Sequence, residues 1–182
     1  ALDASLLADE TVAIGNGALG GVVTAAAKGT VAVGHTALTA LTSGDGNTAI
    51  GYQALLTEDE GSKNTAIGHQ ALKVQNNDNS QNTAVGYLAG TAITSAYLNT
   101  LIGCEAGDEL DSGVSNTVVG ARAFHAADGG EGHNVAIGVD CMAGVDNDSS
   151  ASNIGIGVDA LTGGIGAMIG CIAIGRTALD GT

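Results

Sequence analysis

The chain contains no proline, no tryptophan and a single phenylalanine, Phe124, and only five of its 182 residues are lysine or arginine. Each absence excludes something. With so few rings, a thick globular core is not expected, because such cores draw on the large area that aromatic side chains bury. Five basic residues against a net charge of −14 cannot neutralise a phosphate backbone or an anionic membrane surface. No nucleic acid partner is expected. No apolar run approaches the roughly 18 residues that a membrane span needs, so no membrane insertion is expected either. Ser-His-Asp sets, HExxH, CxxC and phosphate loops are missing as well. The chain is therefore expected not to be an enzyme, with no catalytic residue and no bound cofactor.

What is abundant is glycine, 30 residues of it, and it recurs. Gly15, Gly34, Gly51, Gly68, Gly86, Gly103, Gly120, Gly138, Gly157 and Gly175 follow one another at intervals of 17 to 19. A fixed period in this range marks a solenoid, in which each repeat is one coil that buries its apolar side only against its neighbours. The residue before each glycine, and the residue two further back, is β-branched in all ten repeats (Thr48 and Ile50, Thr65 and Ile67). That alternation predicts one short strand per repeat, with both β-branched positions on one face. The column between them is mostly alanine and suggests a close approach. Alanine recurs three residues after the glycine, followed by a leucine column, as at a corner that fills the core.

The expected fold is therefore all-β, a parallel β-solenoid (β-roll or β-helix) of about ten coils of 17–19 residues. Residues 1–10 read as an N-terminal extension and 11–182 as a single solenoid domain. Apolar residues before the variable loops (Leu41, Leu56, Val74, Ile93, Leu110, Val145, Ile165) suggest a second short strand per coil. The repeating glycine either adopts a conformation closed to other residues or allows close contact.

Four residues before the glycine stand Asn47, Asn64, Asn82, Asn99, Asn116, Asn134 and Asn153. Coils stacked at about 4.8 Å would let each amide donate to the next, as in the Asn ladders of stacked β-structures. These seven are expected to form a structural ladder. The loops collect the acids. Asp146 and Asp148 are the best local pair for calcium, which takes oxygen ligands on a flexible backbone, although EF-hand and β-roll calcium spacings are absent. His35 and His69 share a column with Tyr52 and Tyr87 and read as a mixed surface rank. Cys104, Cys141 and Cys171 lie about two coils apart, nearly 10 Å along the axis, too far for intrachain bridges. A bond between chains stays open.

The blocks Asn47-Thr48-Ala49-Ile50-Gly51-Tyr52-Gln53-Ala54-Leu55 and Asn64-Thr65-Ala66-Ile67-Gly68-His69-Gln70-Ala71-Leu72 resemble the NSVAIG repeats of trimeric autotransporter adhesin heads. They also resemble NTAIGxxAL arrays in phage tail fibres and bacterial surface fibres. The resemblance covers residues 11 to 179 and implies a solenoid, commonly trimeric, located outside the cell, on its surface or on a virion. It departs in its longer period and in the absence of a stalk or chaperone domain. Ile50–Leu55 also fits, once per coil, the hexapeptide signature of left-handed β-helix acyltransferases, which carry it three times per coil. The threonine rank from Thr48 to Thr117 raises ice binding; its alternation with valine and isoleucine places it inward or at an interface.

The expected function is a structural subunit of an extracellular fibre or filament. The last repeat runs to within three residues of the end, which predicts end-to-end stacking of copies. The alternative is a trimeric tail-fibre or surface adhesin whose loops engage a cell-surface receptor or a glycan. A cluster of Tyr52, Tyr87, Tyr97 and Phe124 would favour it.

Overall fold

A computed structural model describes residues 10–22, 24, 27–78, 80–163 and 166–181. Of the expected N-terminal extension only Glu10 falls among them, and Ile165 lies outside them. Ten three-residue strands follow in order: β1 (Val12–Ile14), β2 (Val31–Val33), β3 (Thr48–Ile50), β4 (Thr65–Ile67), β5 (Thr83–Val85), β6 (Thr100–Ile102), β7 (Thr117–Val119), β8 (Val135–Ile137), β9 (Ile154–Ile156) and β10 (Ile172–Ile174). They make one parallel sheet in sequential order. Its register repeats the sequence columns, with Thr48 opposite Thr65, Ala49 opposite Ala66 and Ile50 opposite Ile67. This is a parallel β-solenoid, with no helix among the described residues.

The strand faces are assigned by volume. Ala32, Ala49, Ala66, Ala84 and Ala136 point inward and are fully buried, while the β-branched columns on either side point out. The threonine rank is therefore outward, not inward: Thr48, Thr65, Thr83 and Thr100 are half-buried and Thr117 is exposed. Where the corner is leucine (Leu19, Leu38, Leu55, Leu72), the space opposite the sheet is already filled and the inward residue of the strand is alanine; in β7, where the preceding corner is Gly107, the inward place is taken by Val118, fully buried. Where the inward column enlarges to Leu101, the corner shrinks to Gly90 and Gly107. A Cβ at Gly90 would lie 2.8 Å from Leu101 Cδ1, and one at Gly107 would lie 3.1 Å from Leu101 Cδ2.

The expected second strand does not form among the described residues. Only isolated bridges join that side, Tyr97 to Val114 and Ala151 to Gly132 and Ile169. Leu41, Ile93, Leu110 and Val145 are buried there, but Leu56 is half-buried and Val74 exposed. Glu58 and Gln75 take the inward places in those two coils. Extended structure is interrupted because the second and fourth residues after each repeating glycine have positive φ, such as Gln53 (55°) and Leu55 (48°). Their N–H groups bond in opposite directions: Gln53 to His35 O in the preceding coil at 3.0 Å, Leu55 to Ala71 O in the following coil at 3.1 Å. Those intercoil bonds hold a backbone conformation that costs non-glycine residues about 1–2 kcal/mol each.

The repeating glycine turns out to need both properties. Gly51 has φ +141°, and a Cβ there would stand 2.2 Å from the carbonyl oxygen of Gly68.

Candidate functional site

The asparagine column is buried along its length and works as a clamp on the next turn. From Asn47 to Asn153, each Oδ1 accepts the main-chain N–H of the next residue in the column at 2.8–3.0 Å. The Nδ2 of Asn47 donates to Gly61 O, that of Asn99 to Gly113 O, that of Asn116 to Glu131 O and that of Asn153 to Met168 O, at 2.7–2.8 Å. Between members of the column, among the described residues, amide-to-amide bonds start at Asn99 and donate backward, at 3.0–3.2 Å. The turn brings main-chain groups within reach before the neighbouring amide. Thr30 occupies the same column, buried, with its hydroxyl oxygen unpartnered.

The chain of polar contacts extends into the core at one place. Glu58 accepts from Gly61 N–H at 2.7 Å and from Gln75 Nε2 at 2.7 Å, and Gln75 Oε1 accepts from Asn82 Nδ2 at 2.8 Å. Burial pushes the Glu58 carboxyl above its usual range, against the lowering effect of those two bonds.

On the outside lie two distinct surfaces. The sheet presents two columns of Val, Ile and Thr with no charged residue in either. Several of its isoleucines remain open: Ile50, Ile67, Ile102 and Ile137 are 36–40% exposed. Beside it runs a stack of rings, His35–Tyr52–His69–Tyr87, with centroids 5.0–5.5 Å apart and planes within 24° of parallel. Stacking uses the ring faces and leaves edges to solvent, which is a poor platform for a sugar. Phe124 is fully buried, and Tyr97 stands apart in a shallow groove with Asn77, Gln81 and Leu98.

The second surface is acidic. Asp146 and Asp148, singled out from sequence, are both exposed and do not act as a pair on their own. The structure joins them to the loop of the preceding coil: Asp146 stands beside Asp128, and carboxylate oxygens of Asp128, Glu131 and Asp148 lie within 4.8 Å of one another. The neighbouring Asp146 carboxyl holds that of Asp128 above the usual range. Asp128 and Glu131 were missed because their loop has no internal motif. The available signal was the column: Asp128 and Asp146 each stand eight residues after a repeating glycine, so stacking superposes them.

Arg122 donates to Asp140 in the next coil from Nε and a terminal nitrogen, both at 2.7 Å. His125 Nδ1 lies 2.6 Å from Asp108 Oδ1, and that contact raises the pKa of the imidazole. No hydrogen bond joins His125 to a hydroxyl or thiol among the described residues. The three cysteines are free, with Cys104 exposed and Cys141 buried.

Comparison with models of protein families, with curated proteins and with solved structures finds no match to this chain.

Proposed function

We propose that the protein is a structural subunit of an extracellular fibre, a stiff rod about 50 Å long whose copies associate with one another. The observation that carries this reading is the outer face of the sheet. Ten rows of β-branched side chains, without a single charge, run the length of the solenoid, while the acids are gathered on other sides. An uncharged surface of this length, with exposed isoleucines along it, is suited to association. A face with a repeat of about 4.8 Å is matched best by another copy with the same repeat, which makes a lateral assembly the favoured mode. End-to-end stacking through strand edges is the other mode. An adhesin with a receptor or glycan on its loops has weaker support, since the clustered rings offer only edges.

One observation favours a second reading. The threonine rank faces outward on a regular, uncharged surface, which is what recognition of an ice lattice would use. The two readings compete for one face, because a surface buried between copies cannot meet ice.

Sedimentation and negative-stain electron microscopy of the purified chain test this, alongside a variant carrying Thr65→Lys and Ile67→Lys. Discrete oligomers that the variant loses would support lateral assembly; long filaments that it retains would support end-to-end stacking. A monomer at micromolar concentration would overturn the fibre reading. Thermal hysteresis by that monomer, abolished in the variant, would establish the second one.

A further inference from the structure

We propose that the loops at 128–131 and 146–148, from two adjacent coils, form a site for one calcium ion, ligated by carboxylate oxygens of Asp128, Glu131 and Asp148, with Asp146 beside them. The deciding residue is Glu131. It is fully buried, and its Oε1 has no hydrogen-bond partner among the described residues. The other oxygen accepts the Gly129 N–H, at 3.1 Å. A buried carboxylate oxygen left without a donor is costly, and nature's usual remedies are a proton, a basic partner or a metal ion. Basic partners are not in place: the ion pairs among the described residues join Arg122 to Asp140 and His125 to Asp108 and Glu109, none of them in this cluster.

The ligand set favours calcium. Calcium takes about six to eight oxygen ligands, carboxylates among them, in a flexible geometry, whereas magnesium demands a near-ideal octahedron and keeps several of its waters. Three carboxylate oxygens gathered within 4.8 Å of one another, on two loops, suit the less exacting ion. Both loops are built for the approach. A Cβ at Gly129 would stand 1.8 Å from Asp148 Oδ1, so only glycine lets that carboxylate come so close to the neighbouring main chain. The main chain of Glu131 is anchored in turn, because its carbonyl accepts Asn116 Nδ2 at 2.8 Å. A solvated acidic loop would account for Asp128, Asp146 and Asp148, all exposed, but not for a buried glutamate turned in among them.

Cation binding does not depend on how copies associate, so its test is separate from that of the fibre. Calcium chloride is titrated calorimetrically into chelator-treated protein, with magnesium chloride as the comparison. One calcium per chain, a raised melting temperature and weaker magnesium binding are expected. Glu131→Gln keeps the volume and removes the charge, and should weaken calcium binding at least about tenfold, since ligand charge sets affinity in such sites. Asp148→Asn, at an exposed position, should do the same without endangering the fold, and decides the matter if Glu131→Gln does not fold. Asp78→Asn, an exposed acid on another loop, should change nothing. No heat and no thermal shift at millimolar calcium would overturn the site. So would binding that survives Asp148→Asn, or that Asp78→Asn weakens equally.

Discussion

Asn116 donates its main-chain N–H to Oδ1 of Asn99 at 2.8 Å, and the Nδ2 of Asn99 donates to Gly113 O at 2.8 Å. One buried amide thus holds both ends of the turn at 113–116, whose third residue, Ser115, has φ 58°. The side chain stabilises the next coil more than its own, and this makes the stack cooperative from coil to coil.

Replacing that amide should be expensive. Asn99→Ala leaves a buried N–H and a buried carbonyl without partners, a loss of about 2–4 kcal/mol in urea unfolding. Asn99→Asp keeps the acceptor but sets a carboxylate oxygen against Gly113 O. It should be at least as unstable at neutral pH and recover in acid, where a protonated carboxyl can donate.

Thr30→Asn should extend the column by one rung. The buried hydroxyl oxygen of Thr30 has no partner, whereas an amide there could accept from Asn47 N–H and donate to the carbonyl of Gly44, by analogy with its neighbours. A gain of about 1–2 kcal/mol is expected, read as a shift in the urea midpoint at constant slope.

Gly68→Ala and Gly175→Ala separate conformation from contact. Both positions have positive φ, but a Cβ at Gly68 would lie 2.1 Å from Gly86 O, while nothing stands within 4 Å of one at Gly175. Strain alone costs on the order of 1–3 kcal/mol. Gly68→Ala adds a backbone collision to it, so its melting temperature should fall well below that of Gly175→Ala. Equal effects would mean that the close approach carries no weight.

Leu101 fills room vacated by Gly90 and Gly107, so Leu101→Ala should open a cavity and cost about 3–5 kcal/mol. Adding Gly107→Leu restores the alanine–leucine pairing used elsewhere in the stack. Gly107 has φ 55°, a conformation that Leu72 adopts at the equivalent place with 49°. The double variant should therefore recover part of the loss, and a double-mutant cycle measures the coupling.

Stability should fall as pH rises from mildly acidic to mildly basic. Burial raises the pKa of Glu58 and the Asp108 contact raises that of His125, with Glu109 and Glu105 adding to the latter. A group whose folded pKa lies above its unfolded one stabilises fully below the unfolded value, and that contribution disappears as pH rises through the folded value. For Glu58 the loss begins above about pH 4.5 and for His125 above about pH 6.5. Melting curves between about pH 5 and 8 should show the decline, and His125→Gln should flatten its upper part.

Much of the architecture was legible in the chain. A constant interval between Gly34, Gly51 and Gly68 requires equal coils, and equal coils stack only in register, which sets the parallel sheet and brings Asn47 to Asn64. Composition also indicated a thin body, since alanine and leucine, not rings, had to fill it. What the sequence could not decide was which side of each strand faces the core. A period of two says that Ala66 opposes Thr65 and Ile67 but carries no sign. The sign came from volume, because the space left by Leu55 and Leu72 admits alanine and excludes β-branched residues. Glu58 and Gln75 in inward places, and Glu131 beside Asp128 and Asp148, were likewise settled only by folding, since each depends on loops from different coils meeting in space.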